Sequence, residues 1–132
     1  MQKLVFMAKR PPKKIIQSEL KDLIIDALKD KKGRDITIID FKKTPNTICD
    51  YFIITHGTSS IQVEALTSAV ERKVKTELGY FPKHIEGLQN AEWVLLDYFD
   101  VIVHIFNETT REFYRLEDLW ADGDIIKLEN EI

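Results

Sequence analysis

Apolar residues recur along the first half of the chain at spacings that predict two helices. Ser18 can cap a first helix of about residues 18–31, and Gly33 follows where a helix is expected to end. A second helix is predicted between Ser59 and Gly79, because Ser-x-x-Gln at its start fits a capping box. Both segments place apolar residues three and four positions apart, at Leu20, Leu23, Ile24, Ala27 and Leu28 and at Val63, Leu66, Val70, Val74 and Leu78.

Shorter β-branched runs predict strands around these helices. DITIID (35–40) and DYFIIT (50–55) are two such runs, and Pro45-Asn46 breaks the chain between them. After Pro82, a short segment at residues 84–87 is predicted to return to the sheet, which makes residues 50–87 a strand, a crossover helix and a strand.

The apolar run WVLLDYFDVIVHIF, residues 93–106, predicts a β-hairpin, because only Tyr98-Phe99 separates its two halves. After it, Thr109-Thr110-Arg111-Glu112 forms a second possible capping box and predicts a short helix with Phe113, Leu116 and Trp120. The predicted fold is α/β (α+β), with a mixed five-stranded sheet and helices packed on it.

Side chains alternate between the two faces of such a hairpin, so each face can be predicted. Closure around Tyr98-Phe99 pairs residue 97 with 100 and residue 93 with 104. One face is wholly aliphatic and is expected to pack on the helices: Val94, Leu96, Val101, Val103 and Ile105. The other face mixes apolar, aromatic and acidic residues: Trp93, Leu95, Asp97, Asp100, Ile102, His104 and Phe106.

The mixed face has the composition of a recognition surface, with an aromatic anchor and acids at one end. Two neighbouring aspartates repel each other and need water or a cation. That cation is a metal ion, a helix-borne arginine such as Arg111, or basic side chains of another protein. Alternatively, Asp97 and Asp100 only flank a turn and the third helix covers Trp93 and Ile102. His104 is expected to pair with Trp93 across the hairpin or to interact with a neighbouring acid.

Length and charge indicate one domain with a basic N-terminal arm and an acidic C-terminal tail. The 132 residues carry a net charge of −3, are 44% hydrophobic and include one cysteine, Cys49, which we expect to be a small buried hydrophobe. Residues 1–17 form a basic arm with five cationic residues and no acid, and residues 18–120 form the folded domain. An organellar transit peptide is an alternative for the arm, although it has one arginine and no serine. Residues 121–132 are expected to be an acidic tail.

These features bound the environment and the partners. We find no membrane-length apolar run and no secretory signal, and a single cysteine cannot form an internal disulfide, so a cytoplasmic location is expected. Residues 86–132 hold 12 acidic and 3 basic residues, which disfavours nucleic-acid binding through this third and favours a basic protein. The arm is either a solvated segment or a minor contact to RNA.

Two rival functions remain open, and a third is excluded. A nucleotide-binding or nucleotidyltransferase-like enzyme would use the turn from Gly57 to Ser60 for phosphate and Asp97 and Asp100 for Mg²⁺. Against it, the turn has a single glycine and no P-loop lysine. Structural zinc lacks paired ligand spacing, so no metal site and no cofactor are expected. The mixed face could also serve only as contact between identical subunits, although its acids would then meet like charges.

Three motifs resemble one known family in their order and spacing. CDYFIITHGTSS, WVLLDYFDVIVHIF and TTREFYRLEDLW are similar to the ribosomal silencing factor S family, also called Iojap or YbeB, and the resemblance covers about residues 18–120. It implies a fold similar to nucleotidyltransferases without enzymatic activity. It further implies binding to large-subunit ribosomal protein number fourteen, blockade of subunit joining, repressed translation and a homodimer in the free state.

On this resemblance, the mixed face meets basic residues of that ribosomal protein, and Arg111, Glu112 and Tyr114 frame the surface or order the acids. The family usually has glycine where Phe99 stands, so either the turn differs or Phe99 adopts a positive φ. The residues predicted to bind the partner are Trp93, Leu95, Asp97, Tyr98, Phe99, Asp100, Ile102, His104, Arg111 and Tyr114.

Overall fold

The computed structural model describes the backbone of residues 13–130 and the side chains of residues 19–130. Most of the basic arm, residues 1–12, and the last two residues of the tail lie outside the described residues. The helices are α1 (Lys13–Asp30), α2 (Ser60–Leu78), α3 (Glu108–Tyr114) and α4 (Leu116–Leu119). The strands are β1 (Arg34–Asp40), β2 (Tyr51–Gly57), β3 (His84–Glu86), β4 (Trp93–Asp97), β5 (Val101–Asn107) and β6 (Asp124–Lys127).

The strands form one mixed sheet in the order β3-β4-β5-β2-β1-β6. Strands β2 and β5 pair in parallel, and the other neighbours pair antiparallel. The predicted mixed sheet with packed helices is therefore confirmed, but five strands was one too few. The sixth strand lies in the segment predicted as a tail, where Ile125 and Ile126 pair with β1. Gly123 permits this close approach, since an added Cβ would lie 2.6 Å from Ile39 Cγ2.

The helix boundaries correct two predicted caps and confirm a third. Helix α1 begins at Lys13, so Ser18 lies within it and does not cap it. Helix α3 begins after Asn107, whose side chain accepts a hydrogen bond from the Thr109 amide, so the predicted Thr109 capping box is wrong. Ser59 does cap α2, because its hydroxyl accepts from the Gln62 amide.

Apolar side chains pack on both faces of the sheet. The larger core lies between the sheet and helices α1 and α2, and it includes all five residues of the predicted aliphatic hairpin face. A smaller core on the opposite face is built from Ile39, Phe41, Cys49, Phe52, Ile54, Ile102, Phe106 and Leu116. Helix α4 contributes to this second core through Leu116, with Trp120 packed against its edge. In the described part of the chain, no helix combines the length and apolarity needed to span a bilayer.

Candidate functional site

The hairpin has the predicted faces but a different register. Asp97 lies opposite Ile102 and Trp93 opposite Phe106, which is a shift of two residues from the predicted pairing. An even shift keeps every side chain on its predicted face. The shift has a nonlocal cause: the Asp100 carbonyl accepts from the amides of Asp50 and Tyr51, so Asp100 joins β2 instead of pairing with Asp97. The two aspartates are therefore not cross-strand neighbours.

The turn between β4 and β5 accommodates the unusual Phe99 in a left-handed conformation. Its φ is +77°, and its amide donates to Asp97 Oδ1 at 2.7 Å. The Phe99 ring is 45% exposed and lies 5.0 Å from Lys83 Nζ. The Asp97 side chain thus fixes the turn that a glycine would form at lower cost.

Comparing two substitutions at this position isolates the backbone strain. Phe99→Gly and Phe99→Ala both remove the ring and its contact with Lys83, but only glycine adopts a φ of +77° without steric cost. We expect Phe99→Gly to be more stable than Phe99→Ala by about 1 kcal/mol. Urea denaturation of both variants measures this difference, and equal midpoints would show that the turn rearranges when the ring is removed.

Strands β3 and β4 present an open face beside helix α3. Cross-strand partners share a face, so His84 lies beside Asp97 and Glu86 beside Leu95. His84 and Glu86 are exposed, and His84 Nε2 lies 2.6 Å from Glu86 Oε2. The β4 residues on this face, Trp93, Leu95 and Asp97, are half-buried. We call this surface the β3–β4 shelf, and it consists of His84, Glu86, Trp93, Leu95 and Asp97.

Trp93 is held rigidly at one end of the shelf. Its indole nitrogen donates to His104 Nδ1 at 3.1 Å, as predicted for this pair. Its ring stacks on Phe106 at a centroid distance of 5.0 Å, and the Tyr114 ring of α3 lies 4.8 Å away. These contacts orient an aromatic side chain that remains partly accessible, which is the usual form of an interface anchor.

Four of the ten predicted contact residues are buried. Tyr98, only 6% exposed, points into the larger core, away from the shelf. Ile102 belongs to the smaller core, and His104 lies beneath Trp93. Arg111 does not order the acids, because its guanidinium bonds Glu117, Thr37 and His56 near the far ends of β1 and β2. The accessible members of the predicted set are Trp93, Leu95, Asp97, Phe99, Asp100 and Tyr114.

His104, which holds Trp93 from beneath, has an uncharged ring. Burial lowers the pKa of His104 to about 3, and acceptance of the Trp93 hydrogen bond at Nδ1 requires the uncharged ring. In the unfolded chain a histidine titrates near pH 6.5. Between these pH values the unfolded state binds one more proton than the folded state, so stability falls as the pH falls.

This difference predicts a measurable pH dependence. From pH 7 to pH 5, the titration of His104 in the unfolded chain is expected to remove roughly 2 kcal/mol of stability. His104→Gln retains a hydrogen-bond acceptor and lacks this titration, so the variant should lose correspondingly less stability over the same interval. Urea denaturation of both proteins at the two pH values tests this, and equal losses would contradict a neutral buried His104.

The opposite end of the shelf is acidic. The carboxylates of Asp50, Asp97 and Asp100 all act on the buried Cys49 thiol, which places them around one point at the end of the sheet. Burial first, and these three charges after it, raise the pKa of Cys49 to about 12, so the thiol is protonated at neutral pH. Cys49 is the small buried hydrophobe that we expected.

The positions of Asp97 and Asp100 in the fold exclude the nucleotidyltransferase alternative. It needs its acids beside the turn from Gly57 to Ser60, but Gly57 pairs with Asn107 at one end of β5 while Tyr51 pairs with Val101 at the other. Six residues of extended strand separate these ends by about 20 Å. Asp97 and Asp100 lie at the Tyr51 end. Ser59 instead caps α2, and the Gln62 side chain accepts from the Thr58 amide.

Sequence reasoning missed His84 and Glu86 as members of the surface. Their strand was predicted, but three residues show too little alternation to assign a face, and only pairing with β4 fixes it. Together the shelf residues offer an apolar centre flanked by carboxylates. Such a surface suits a protein segment that presents basic and aliphatic side chains.

Comparisons with known proteins found matches over most of the chain. The model of the family described as ribosomal silencing factor during starvation matches residues 14–132. A ribosomal silencing factor from Halalkalibacterium halodurans is 40% identical over 114 residues, which cover 86% of this chain and 96% of that protein. One from Bacillus subtilis is 35% identical over 113 residues, covering 86% and 94%.

A solved structure agrees with the fold. A crystal structure of a protein from Chromobacterium violaceum, 38% identical, superimposes with a TM-score of 0.73 over 79% of this chain and 85% of that one. The predicted likeness to nucleotidyltransferases is a separate matter and stays a prediction.

Proposed function

Because the chain belongs to the family of ribosomal silencing factors, we propose that it binds the large ribosomal subunit and blocks association with the small subunit. Translation is thereby repressed by steric blockade. In this role the protein is a regulatory binding protein and not an enzyme, and it works in the cytoplasm. The homodimer of the free protein and an RNA contact by residues 1–17 stay predictions.

The observation that carries this proposal is the β3–β4 shelf. The shelf lies at the edge of the smaller core and leaves Trp93 and Leu95 partly accessible. A face of this kind supports a protein contact larger than a small-molecule site.

The charge at the acidic end supports a basic partner. Asp97 and Glu86 lie on the shelf and Asp100 lies in the adjoining turn, so positive side chains of a docking protein would meet them on one side. We propose large-subunit ribosomal protein number fourteen as that partner. Charge complementarity of this type accelerates encounter and sets the orientation, while the aromatic anchor supplies affinity.

The buried members of the predicted set act from beneath the surface. His104 accepts the indole hydrogen bond, and Ile102 and Tyr98 fill the cores on the two faces of the hairpin. Their roles are to hold Trp93 and the turn in place. Direct contact is proposed for Trp93, Leu95, Asp97, Phe99, Asp100 and Tyr114, with His84 and Glu86 added.

A subunit-joining assay tests the inhibitory step. Purified large and small subunits are mixed at a magnesium concentration that favours joining, and the joined ribosomes are resolved on a sucrose gradient. We expect the joined peak to fall as the protein is added, and to persist when Asp97→Lys is added instead. An undiminished peak with the wild-type protein bound to all large subunits would rule out steric blockade.

A further inference from the structure

We propose that Arg111 is a positioning residue for the partner-binding surface, acting through Tyr114 without touching the partner. This inference rests on the proposed function, because it assigns the element that holds one wall of the β3–β4 shelf. Arg111 is 9% exposed and lies near the far ends of β1 and β2, so it cannot itself reach a protein docked on the shelf.

The guanidinium of Arg111 ties α3 to three other elements. Nη2 and Nε donate to Glu117 Oε2 at 2.5 and 3.2 Å, which joins α3 to α4. Nη2 also donates to Thr37 Oγ1 of β1 at 3.1 Å, and Nη1 contacts His56 Nδ1 of β2 at 3.0 Å. The fifth hydrogen bond goes to the Arg34 carbonyl at 3.4 Å. All five N–H groups are therefore used within the protein, which leaves none to bind a ligand.

The state of His56 is compatible with this arrangement. Burial and then the neighbouring Arg111 charge lower the pKa of His56, so its ring is neutral and Nδ1 can accept the guanidinium hydrogen bond. A lysine at position 111 could not reproduce the network, because one ammonium group lacks the planar fork that reaches Glu117, Thr37 and His56 together.

Helix α3 transmits this anchoring to the shelf. It is only seven residues long, too short to be stable without tertiary contacts. Tyr114 lies one turn after Arg111, on the same side of the helix, and its ring packs 4.8 Å from Trp93. The helix thus has one fixed point on β1 and β2 and a second on β4. Release of the first point is expected to loosen Tyr114 from Trp93.

The bend between α3 and α4 is held by the same arginine. Arg115 adopts a left-handed φ of 48° between α3 and α4, and this bend brings Glu117 back to Arg111. Leu116, between them, is buried in the smaller core. The Arg111–Glu117 ion pair therefore holds the bend closed while Leu116 fills the core beneath it.

Fluorescence of Trp93 tests the positioning step without any ribosome. The chain has two tryptophans, so Trp120→Phe leaves Trp93 as the only reporter. In this background, Arg111→Lys and Tyr114→Ala are both expected to increase acrylamide quenching of Trp93 and to shift its emission to longer wavelength. Quenching of Trp93 that Arg111→Lys leaves unchanged, while Tyr114→Ala raises it, would overturn the inference.

A double-mutant cycle tests the effect on binding. Arg111→Lys and Tyr114→Ala are each expected to weaken large-subunit binding by roughly 3- to 10-fold, the range for one aromatic contact. Because both act on one contact, the double variant should bind no more than about twofold more weakly than Tyr114→Ala alone. Effects that multiply would show that Arg111 does not act through Tyr114.

Two further measurements distinguish failure of this inference from an unfolded variant and from failure of the proposed function. Glu117→Gln retains an acceptor and removes the charge, so it should give a smaller loss of binding that also disappears in the Tyr114→Ala background; this variant replaces Arg111→Lys if the lysine variant does not fold. Wild-type protein that does not bind large subunits would refute the proposed function, while the fluorescence comparison would still decide the role of Arg111.

Discussion

Trp93→Ala is expected to weaken binding to the large ribosomal subunit by about 30-fold or more, the equivalent of about 2 kcal/mol for an aromatic anchor. The indole is the largest partly accessible side chain of the β3–β4 shelf, and it is fixed by His104, Phe106 and Tyr114. A side chain held in one orientation loses little further entropy on binding, so most of its contact energy is available to the complex. Equilibrium sedimentation with purified large subunits measures the change.

The same substitution also lowers the stability of the free protein. It leaves His104 Nδ1 without its donor and removes the ring stacked on Phe106. Thermal unfolding must therefore show that the variant is folded at the temperature of the binding assay. Ile126→Ala is the matched control, because it removes an exposed apolar side chain from β6, at the opposite edge of the sheet. Wild-type affinity in folded Trp93→Ala would exclude the shelf as the contact surface.

Reversing the charge at Asp97 is expected to weaken binding by about 100-fold, because opposing like charges across an interface costs several kcal/mol. Asp97→Lys changes two things, since it also removes the acceptor for the Phe99 amide. Asp97→Asn separates them: an amide oxygen can still accept from Phe99 while the negative charge is lost. We expect Asp97→Asn to weaken binding by about 10-fold or less and to reduce its dependence on salt concentration.

Binding curves at several salt concentrations distinguish charge from turn geometry. If Asp97→Asn binds like the wild-type protein with the same salt dependence, the acids do not face a basic partner. If Asp97→Asn is as defective as Asp97→Lys and is also destabilised, the turn and not the charge is what the partner requires.

The faces of the hairpin could be predicted from the sequence because strand alternation is local. Val94, Leu96 and Val103 lie on the aliphatic face for any register with the same parity, and they are buried against the helices as expected. The register itself could not be predicted. It depends on the Asp100 carbonyl, which accepts hydrogen bonds from the Asp50 and Tyr51 amides, about 50 residues earlier in the chain.

The position of Arg111 shows a similar limit. Its sequence neighbours place it on a short helix after the hairpin, close in the chain to the acids it was expected to order. Its actual partners, Thr37 and His56, come from strands more than 50 residues earlier, and only the parallel pairing of β2 with β5 brings them together. Residues with long polar side chains can be assigned to an element from sequence, but their partners depend on tertiary structure.

Strand β6 was missed for a different reason. Asp124 to Lys127 offers two isoleucines between charges, a pattern too short to distinguish an edge strand from a polar tail. In the folded chain, pairing with β1 makes this segment a strand, and Gly123 leaves room for its approach to β1.

The acids within the apolar hairpin now have separate structural roles. Asp97 caps the turn and faces the shelf, while the backbone of Asp100 joins β5 to β2. His104 is neutral and supports Trp93. The polar groups are thus compatible with the buried sheet, and the two carboxylates remain available to a basic partner.

The most direct measurement is sedimentation of the purified protein with separated large and small ribosomal subunits at physiological salt. We expect the protein to pellet with the large subunit and not with the small one, and Asp97→Lys to remain in the supernatant with both. Wild-type protein that pellets with neither subunit, or equally with both, would contradict specific binding to the large subunit.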